Sequence, residues 1–324
     1  MPRQARLDAP GTLHHVIIRG MERGQIVKDP KDREEFVRRL GKVATATRTR
    51  VYAWALLPNH AHLVVRSGPT GLPRFMRRLL TGHAIYFNRR HKRYGHLFQN
   101  RYKSVVCEED AYFRELVRYI HLNPIRAGLV ADLAELDRYQ WCGHAAVTGQ
   151  VSSPWQDSPY VRAWFGSKTK QAIRAYRQYL AEGIPLGRRP ELVGGGLIRS
   201  LGGWAEVQAA RKRKEPVLAD ARILGTGEFV EEVLQQADDR MRERVQRSHR
   251  LQQAVKVIRA VCDRSHIAVE ELRSGSRRGH IPQLRAHLAR HLVTKLGLSL
   301  AEAARHLGVS TSAISKAVTK AAEK

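Results

Sequence analysis

The sequence predicts an α+β protein in three parts: a strand-and-helix segment over residues 1–150, a helical connector over 151–250 and an all-helical segment over 251–324. Three observations carry this. Short apolar, β-branched runs alternate with two long helical patterns before residue 108. From residue 251 onward apolar residues recur at helical spacing only. Between them, Ser152-Ser153-Pro154 opens a polar stretch that reads as a boundary.

Residues 13–19, rich in Val and Ile, read as a strand that Gly20 ends. Residues 29–47 read as a helix, with Pro30 at its start, acidic residues in its first turn and Phe36, Leu40 and Val43 at helical spacing. Residues 51–57 and 60–66 read as two strands joined by a tight Pro58-Asn59 turn. Residues 72–90 read as a second helix, 95–99 as a loop, 101–107 as a fourth strand and 109–122 as a further helix that Pro124 ends. The order strand–helix–strand–strand–helix–strand is the ferredoxin-like split unit, an antiparallel sheet with helices on one face.

The chain carries 57 Lys and Arg against 30 Asp and Glu, a net charge of +27. So basic a balance points to a polyanion, with nucleic acid first and an anionic membrane surface second. The excess sits at both ends: 26 basic against 13 acidic residues over 1–150, and 13 against 5 over 252–324. This reads as two nucleic-acid contacts joined by a connector. Without an 18-residue apolar span or an N-terminal signal pattern, the expectation is a cytoplasmic, nucleoid-associated protein with no membrane partner. Cys107, Cys142 and Cys262 are odd in number and far apart, which argues for reduced, buried thiols.

The stretch that organises the chain is Leu57-Pro58-Asn59-His60-Ala61-His62-Leu63-Val64-Val65. Residues two apart on a strand share a face, so His60 and His62 project together while Ala61, Leu63 and Val65 pack on the other side. Two neutral imidazoles on one face are half of a metal site. A bare His-x-His is more often a satisfied surface pair. On the helix after the fourth strand, Tyr119 and Asn123 are four apart and share a face. A tyrosine hydroxyl is a nucleophile once activated, and an amide oxygen is a hard ligand suited to Mg²⁺ or Mn²⁺. Core packing for Tyr119 and helix capping for Asn123 are the commoner fates. His121 is the rival third ligand. Arg101 and Lys103, alternating with Tyr102, face a DNA backbone or solvent. The run Arg89-Arg90-His91-Lys92-Arg93-Tyr94 reads as a phosphate clamp with one stacking ring, or as a solvated loop.

Four motifs then occur in order: His14-His15-Val16-Ile17-Ile18-Arg19-Gly20, the Leu57–Leu63 stretch, Gly95-His96-Leu97-Phe98-Gln99-Asn100-Arg101-Tyr102-Lys103-Ser104, and Tyr119-Ile120-His121-Leu122-Asn123-Pro124-Ile125-Arg126-Ala127-Gly128. Over residues 1–150 the chain resembles the single-tyrosine HUH transposases, in particular the REP-associated tyrosine transposases of bacteria. The resemblance implies a ferredoxin-like HUH nuclease domain that handles single-stranded, hairpin-containing DNA. It implies that His60 and His62 bind a divalent cation with Asn123 as the third ligand, and that Tyr119 attacks a phosphate to leave a 5′-phosphotyrosine. Arg19, in the first of these motifs, joins Arg89, Arg90, Arg101 and Lys103 as a DNA contact. Insertion-sequence relatives carry glutamine where this chain has the shorter Asn123.

Over 151–250 a helix is expected at 168–180, another at 197–210, a basic run at Arg211-Lys212-Arg213-Lys214 and a polar connecting helix at 228–250. The Gly194-Gly195-Gly196 triplet has no P-loop pattern. Over 251–324, Leu284, Leu288, Leu292 and Leu296 recur at steps of four. Ser299 with Glu302 forms a capping box, Gly308 makes a turn, and 311–320 reads as a second helix. That is a helix-turn-helix, and Ser310, Thr311, Ser312, Ser315 and Lys316 lie where base edges of duplex DNA are read. The segment resembles the DNA-binding domain of the replication initiator DnaA. Two other classes compete with a DNA-cleaving and rejoining enzyme: a catalytically inactive DNA-binding regulator on the same scaffold, and a single-strand RNA binder. The latter lacks the aromatic pair on alternate strand positions that such proteins stack bases on. Monomer and homodimer are both open.

Overall fold

A computed structural model describes residues 7–187, 189, 192, 220 and 222–319. The chain divides into two compact units, Met1–Ala237 and Asp238–Lys324. The boundary drawn at residue 150 therefore separates no bodies. The connector's helices pack onto the sheet, where Tyr176 and Leu180 join its core.

In the first unit the strands are β1 (Leu13–Arg19), β2 (Arg50–Leu56), β3 (His60–Arg66) and β4 (Lys103–Cys107), with α1 (Pro30–Thr47) and α2 (Leu72–Arg90) between them. Asp29 caps α1 by accepting from the Asp32 amide, and Pro30 follows at the first helical position. The sheet order is β2-β3-β1-β4 and then a fifth strand, antiparallel through the first four. This is the split unit the element order predicts. The fifth strand, β5 (Ile223–Leu224), was not expected: it runs parallel to β4, making the sheet mixed. Two residues carry no periodic signal. They satisfy the open edge of β4 instead, where the amides of Val106 and Glu108 donate to the Arg222 and Leu224 carbonyls.

Helices cover both faces rather than one. Ala61, Leu63 and Val65 of β3 and Val16 and Ile18 of β1 pack with Phe36 and Leu40 of α1 and Phe75 and Leu79 of α2. The opposite face, with Leu13, Val64 and Val105, is covered by α3 (Glu109–His121) through Phe113, Leu116, Val117 and Ile120. Those four recur at steps of three and four, so one stripe of α3 is buried. Short helices α4 (Asn123–Arg126), α5 (Leu133–Arg138), α6 (His144–Val147) and α7 (Ser158–Ala163) lead to α8 (Thr169–Gly183). The expected helix at 197–210, the glycine triplet and the basic run 211–214 lie outside the described residues.

The long helix α9 (Gly227–Arg264) begins in the first unit and ends in the second. In the second unit its residues Ala254, Ile258 and Cys262 share a core with α10 (Val269–Arg273), α11 (Ile281–Arg290), α12 (Leu300–Leu307) and α13 (Thr311–Thr319). The expected single helix through Leu296 closes with a π turn over His291–Lys295. The capping box at Ser299 and Glu302 is formed. Gly308 sits at φ +67°, and a Cβ there would lie 2.0 Å from the Arg273 carbonyl oxygen, so no other residue fits the turn. All three cysteines are buried and free. No helix among the described residues is long and apolar enough to cross a membrane.

Candidate active site

Sheet register decides which side chains meet. Ile17 of β1 pairs with His62 of β3 on one side and with Lys103 of β4 on the other, and Arg19 pairs with His60. Directly paired residues point to the same face. His60, His62, Arg19 and Lys103 therefore share the face that α3 covers, together with His15, which lies one pair along β1. Arg19 and Lys103 are exposed, while His62 is 3% exposed.

The nucleophile candidate arrives from the helix. Tyr119, half-buried, stands at the end of α3 beside its buried stripe. Its ring meets His62 edge to face at 5.8 Å between centroids and His15 at 5.9 Å. His60 and His62 lie 5.2 Å apart, and His15 stacks on His62 at 5.3 Å. The guanidinium of Arg126 sits 5.3 Å from the Tyr119 ring centre and donates to the Tyr119 carbonyl. One turn after Tyr119, the amide nitrogen of buried Asn123 donates to the Tyr119 and Ile120 carbonyls. It therefore does what a helix-end cap does, and its oxygen is the atom it can offer to a cation.

The donor set suits a divalent metal. Burial, with the Arg19 charge adding to it, holds the His60 imidazole down to about 4. Burial also holds His62 well below the ordinary value, with His15, His60 and Arg19 contributing. Both are thus neutral at physiological pH, the form that ligates. The Asn59 amide nitrogen donates to the Arg23 carbonyl, which turns its oxygen to His60 Nδ1 at 2.6 Å. His60 Nδ1 therefore carries the proton, and Nε2 offers the lone pair. The Nδ1 of His62 is likewise taken up, 3.0 Å from His15 Nε2.

Two sequence expectations are corrected. His121 does not join His15, His60 and His62. It is fully buried on another side of α3, its Nδ1 bonded to the Tyr176 hydroxyl at 2.7 Å, because two residues along a helix rotate it away from Tyr119. Arg90 is no open phosphate clamp: it bonds Asp29 and Asp32 at 2.7 and 2.5 Å at the start of α1. His91 bonds Asp32 as well, at 2.8 Å. Asp29, Asp32 and His91 come close enough together to hold a metal. Arg90 already pairs with both carboxylates there, so the cluster works as an ion-pair network that ties α2 to α1. Arg89 and Arg101 are exposed. In the second unit Ser310, Thr311, Ser312 and Lys316 are exposed and Ser315 half-buried, around buried Ile314.

Sequence reasoning missed His15 and Asn59 as parts of the site. Alternation along β1 puts His15 on one face with Ile17 and Arg19. Only the register brings it to His62, whose direct partner is Ile17.

The first unit is thus a ferredoxin-like sheet that presents a histidine pair to a tyrosine on the helix following β4. Residues 11–123, from just before β1 to Asn123, match the family model described as Transposase IS200 like. Among solved structures, the REP-associated tyrosine transposase bound to a REP hairpin is similar at 17% identity and a TM-score of 0.39, over 48% of this chain and 90% of that one. A protein of Deinococcus radiodurans R1, described as a candidate transposase, is similar at 18% identity and a TM-score of 0.27, over 35% and 92%. No curated protein matches the chain.

Proposed function

We propose that the first unit cleaves and rejoins single-stranded, hairpin-containing DNA through a covalent bond to Tyr119. His60, His62 and Asn123 would hold a divalent cation, Mg²⁺ or Mn²⁺. The observation that carries this is the meeting of Tyr119 with His62, on the face where His60 also projects. A tyrosine kept only for packing has no need of a neutral imidazole at its ring, on a face that also presents His60.

The cation, when bound, supplies positive charge to a non-bridging phosphate oxygen. The chain supplies the rest. The Tyr119 hydroxyl gives up its proton as its oxygen bonds to phosphorus, and the Arg126 guanidinium, 5.3 Å from the ring centre, adds positive charge to that side of the site. The 3′ oxygen of the preceding nucleotide leaves with the bonding electrons and takes up a proton. The phosphate remains on the 5′ side of the downstream strand, bonded to Tyr119. Attack by a 3′ hydroxyl reverses the step, so rejoining needs no nucleotide cofactor. Arg19 and Lys103, exposed on the same face, suit phosphate contacts that hold the strand in line. Arg89 and Arg101 would extend that contact. For the second unit, the exposed polar residues of α13 suit reading of a duplex.

The test uses an oligonucleotide bearing a hairpin from the DNA flanking the gene, labelled on its 3′ side. With Mn²⁺ the label should migrate with the protein on a denaturing gel, and peptide mapping should place it on Tyr119. Tyr119→Phe should bind the oligonucleotide and leave no adduct, and His60→Ala should leave none while keeping the fold. An adduct in the Phe variant would name another nucleophile. Tight binding with no adduct in the wild type would favour the inactive-regulator reading.

A further inference from the structure

His15 sits in the middle of the site, yet both of its ring nitrogens are already committed. Its Nδ1 lies 2.9 Å from the carbonyl oxygen of Leu192, and its Nε2 lies 3.0 Å from Nδ1 of His62. A carbonyl only accepts, so the His15 Nδ1 must carry a proton. In the neutral ring the other nitrogen is then a lone pair. That lone pair faces His62 Nδ1, which must donate to it. A neutral His62 with its proton on Nδ1 has its own lone pair on Nε2. Reading the chain of bonds from the Leu192 carbonyl outward therefore leaves one tautomer for His62, and it matches the one Asn59 imposes on His60.

We propose that His15 is a positioning residue, which accepts the Nδ1 proton of His62 and so presents the His62 Nε2 lone pair to the divalent cation. This rests on His62 being a ligand of that cation. His15 is not a third ligand, because neither of its nitrogens is left to bind one. Its role is that of the carbonyl or carboxylate that ordinarily orients a metal-bound imidazole, filled here by a second imidazole. The stacking of the two rings at 5.3 Å fixes the plane as well as the tautomer. The anchor is the main chain at Leu192, so a residue of the connector reaches the site without contributing a side-chain ligand.

Two measurements on the full-length protein test this. The first is the ¹⁵N chemical shifts of the imidazole nitrogens in metal-free protein labelled at histidine, with the His62 signals assigned by their loss in His62→Gln. The expected result is a protonated Nδ1 and an unprotonated Nε2 on His62. The opposite tautomer in the wild type would overturn the proposal without any His15 variant having to fold. The second is Mn²⁺ affinity by titration calorimetry. His15→Phe keeps a stacking ring and removes the acceptor, so affinity should fall about 10–100-fold, the usual effect of losing such a partner. His15→Gln offers an amide oxygen to His62 Nδ1 and should recover most of it. Equal Mn²⁺ affinity in wild type and a folded His15→Phe, or no recovery in His15→Gln, would count against the role. The tautomer and the affinity are read without DNA. A missing Tyr119 adduct would therefore sink the proposed reaction and leave the His15 assignment standing.

Discussion

The Tyr119 ring meets the His62 ring edge to face with centroids 5.8 Å apart, although 57 residues separate them in the chain. The approach depends on how α3 is seated. One stripe of α3 is buried on the sheet, and its far side is tied to the connector. There the Tyr176 hydroxyl bridges His121 Nδ1 at 2.7 Å and His144 Nδ1 at 2.8 Å, and His144 Nε2 reaches Asp137 at 2.8 Å.

Removing that bridge should loosen the seat. Tyr176→Phe keeps the ring and deletes the one oxygen shared by two buried imidazoles. Leaving buried polar atoms unmatched costs on the order of 1–3 kcal/mol. The five tryptophans all precede residue 238, so tryptophan fluorescence follows the first unit alone. Its denaturant midpoint should fall in Tyr176→Phe. An unchanged midpoint would mean that the bridge contributes nothing to holding α3.

Adjacent arginines at the end of α2 should behave differently. Arg90 bonds Asp29 and Asp32 at the head of α1, whereas Arg89 is exposed. Arg90→Ala should lower the thermal midpoint, because the buried carboxyl of Asp32 loses its guanidinium partner. Arg89→Ala should leave the midpoint in place and weaken binding of a single-stranded oligonucleotide, with a shallower salt dependence. The reverse pattern would make Arg90 the DNA contact.

The duplex binding proposed for the second unit is tested at Lys316, exposed on α13. Lys316→Ala should lower duplex affinity and reduce the slope of log K against log salt by about one if it meets a phosphate. Cleavage of a short single strand should be unaffected. A salt slope identical to the wild type would remove Lys316 from the interface.

Acid should act on the second unit through Glu302. Its carboxyl accepts from the Ser299 main-chain amide and hydroxyl and pairs with Arg247, and these hold it from 4.5 down to about 2. A group whose pKa falls on folding contributes stability above its unfolded value and loses it as pH drops through the folded one. The contribution is therefore complete above about pH 4.5 and fades between there and about pH 2. Glu302→Gln should be less stable than wild type at pH 6, by the far-UV signal of the helical unit, and the gap should close toward pH 2. A gap that persists in acid would assign the effect to packing instead.

The sequence by itself determined what local chemistry sets. The alternation of β3 put His60 and His62 on one face and Ala61, Leu63 and Val65 on the other, because a strand has a period of two. The order of strands and helices was enough for the split sheet, and Ser299, Glu302 and Gly308 marked the ends of α12 before any coordinates did. The tertiary structure decided what depends on register and distant packing. It brought His15 to His62 by a diagonal across two strands, turned His121 into the core against Tyr176, and engaged Arg90 with two carboxylates. It also laid β5 along the edge of β4, from a segment too short to carry a period. Such pairings join residues tens of positions apart, and no local propensity encodes which of them will meet. They follow from burying the two faces of the sheet at once, which only the whole first unit can do.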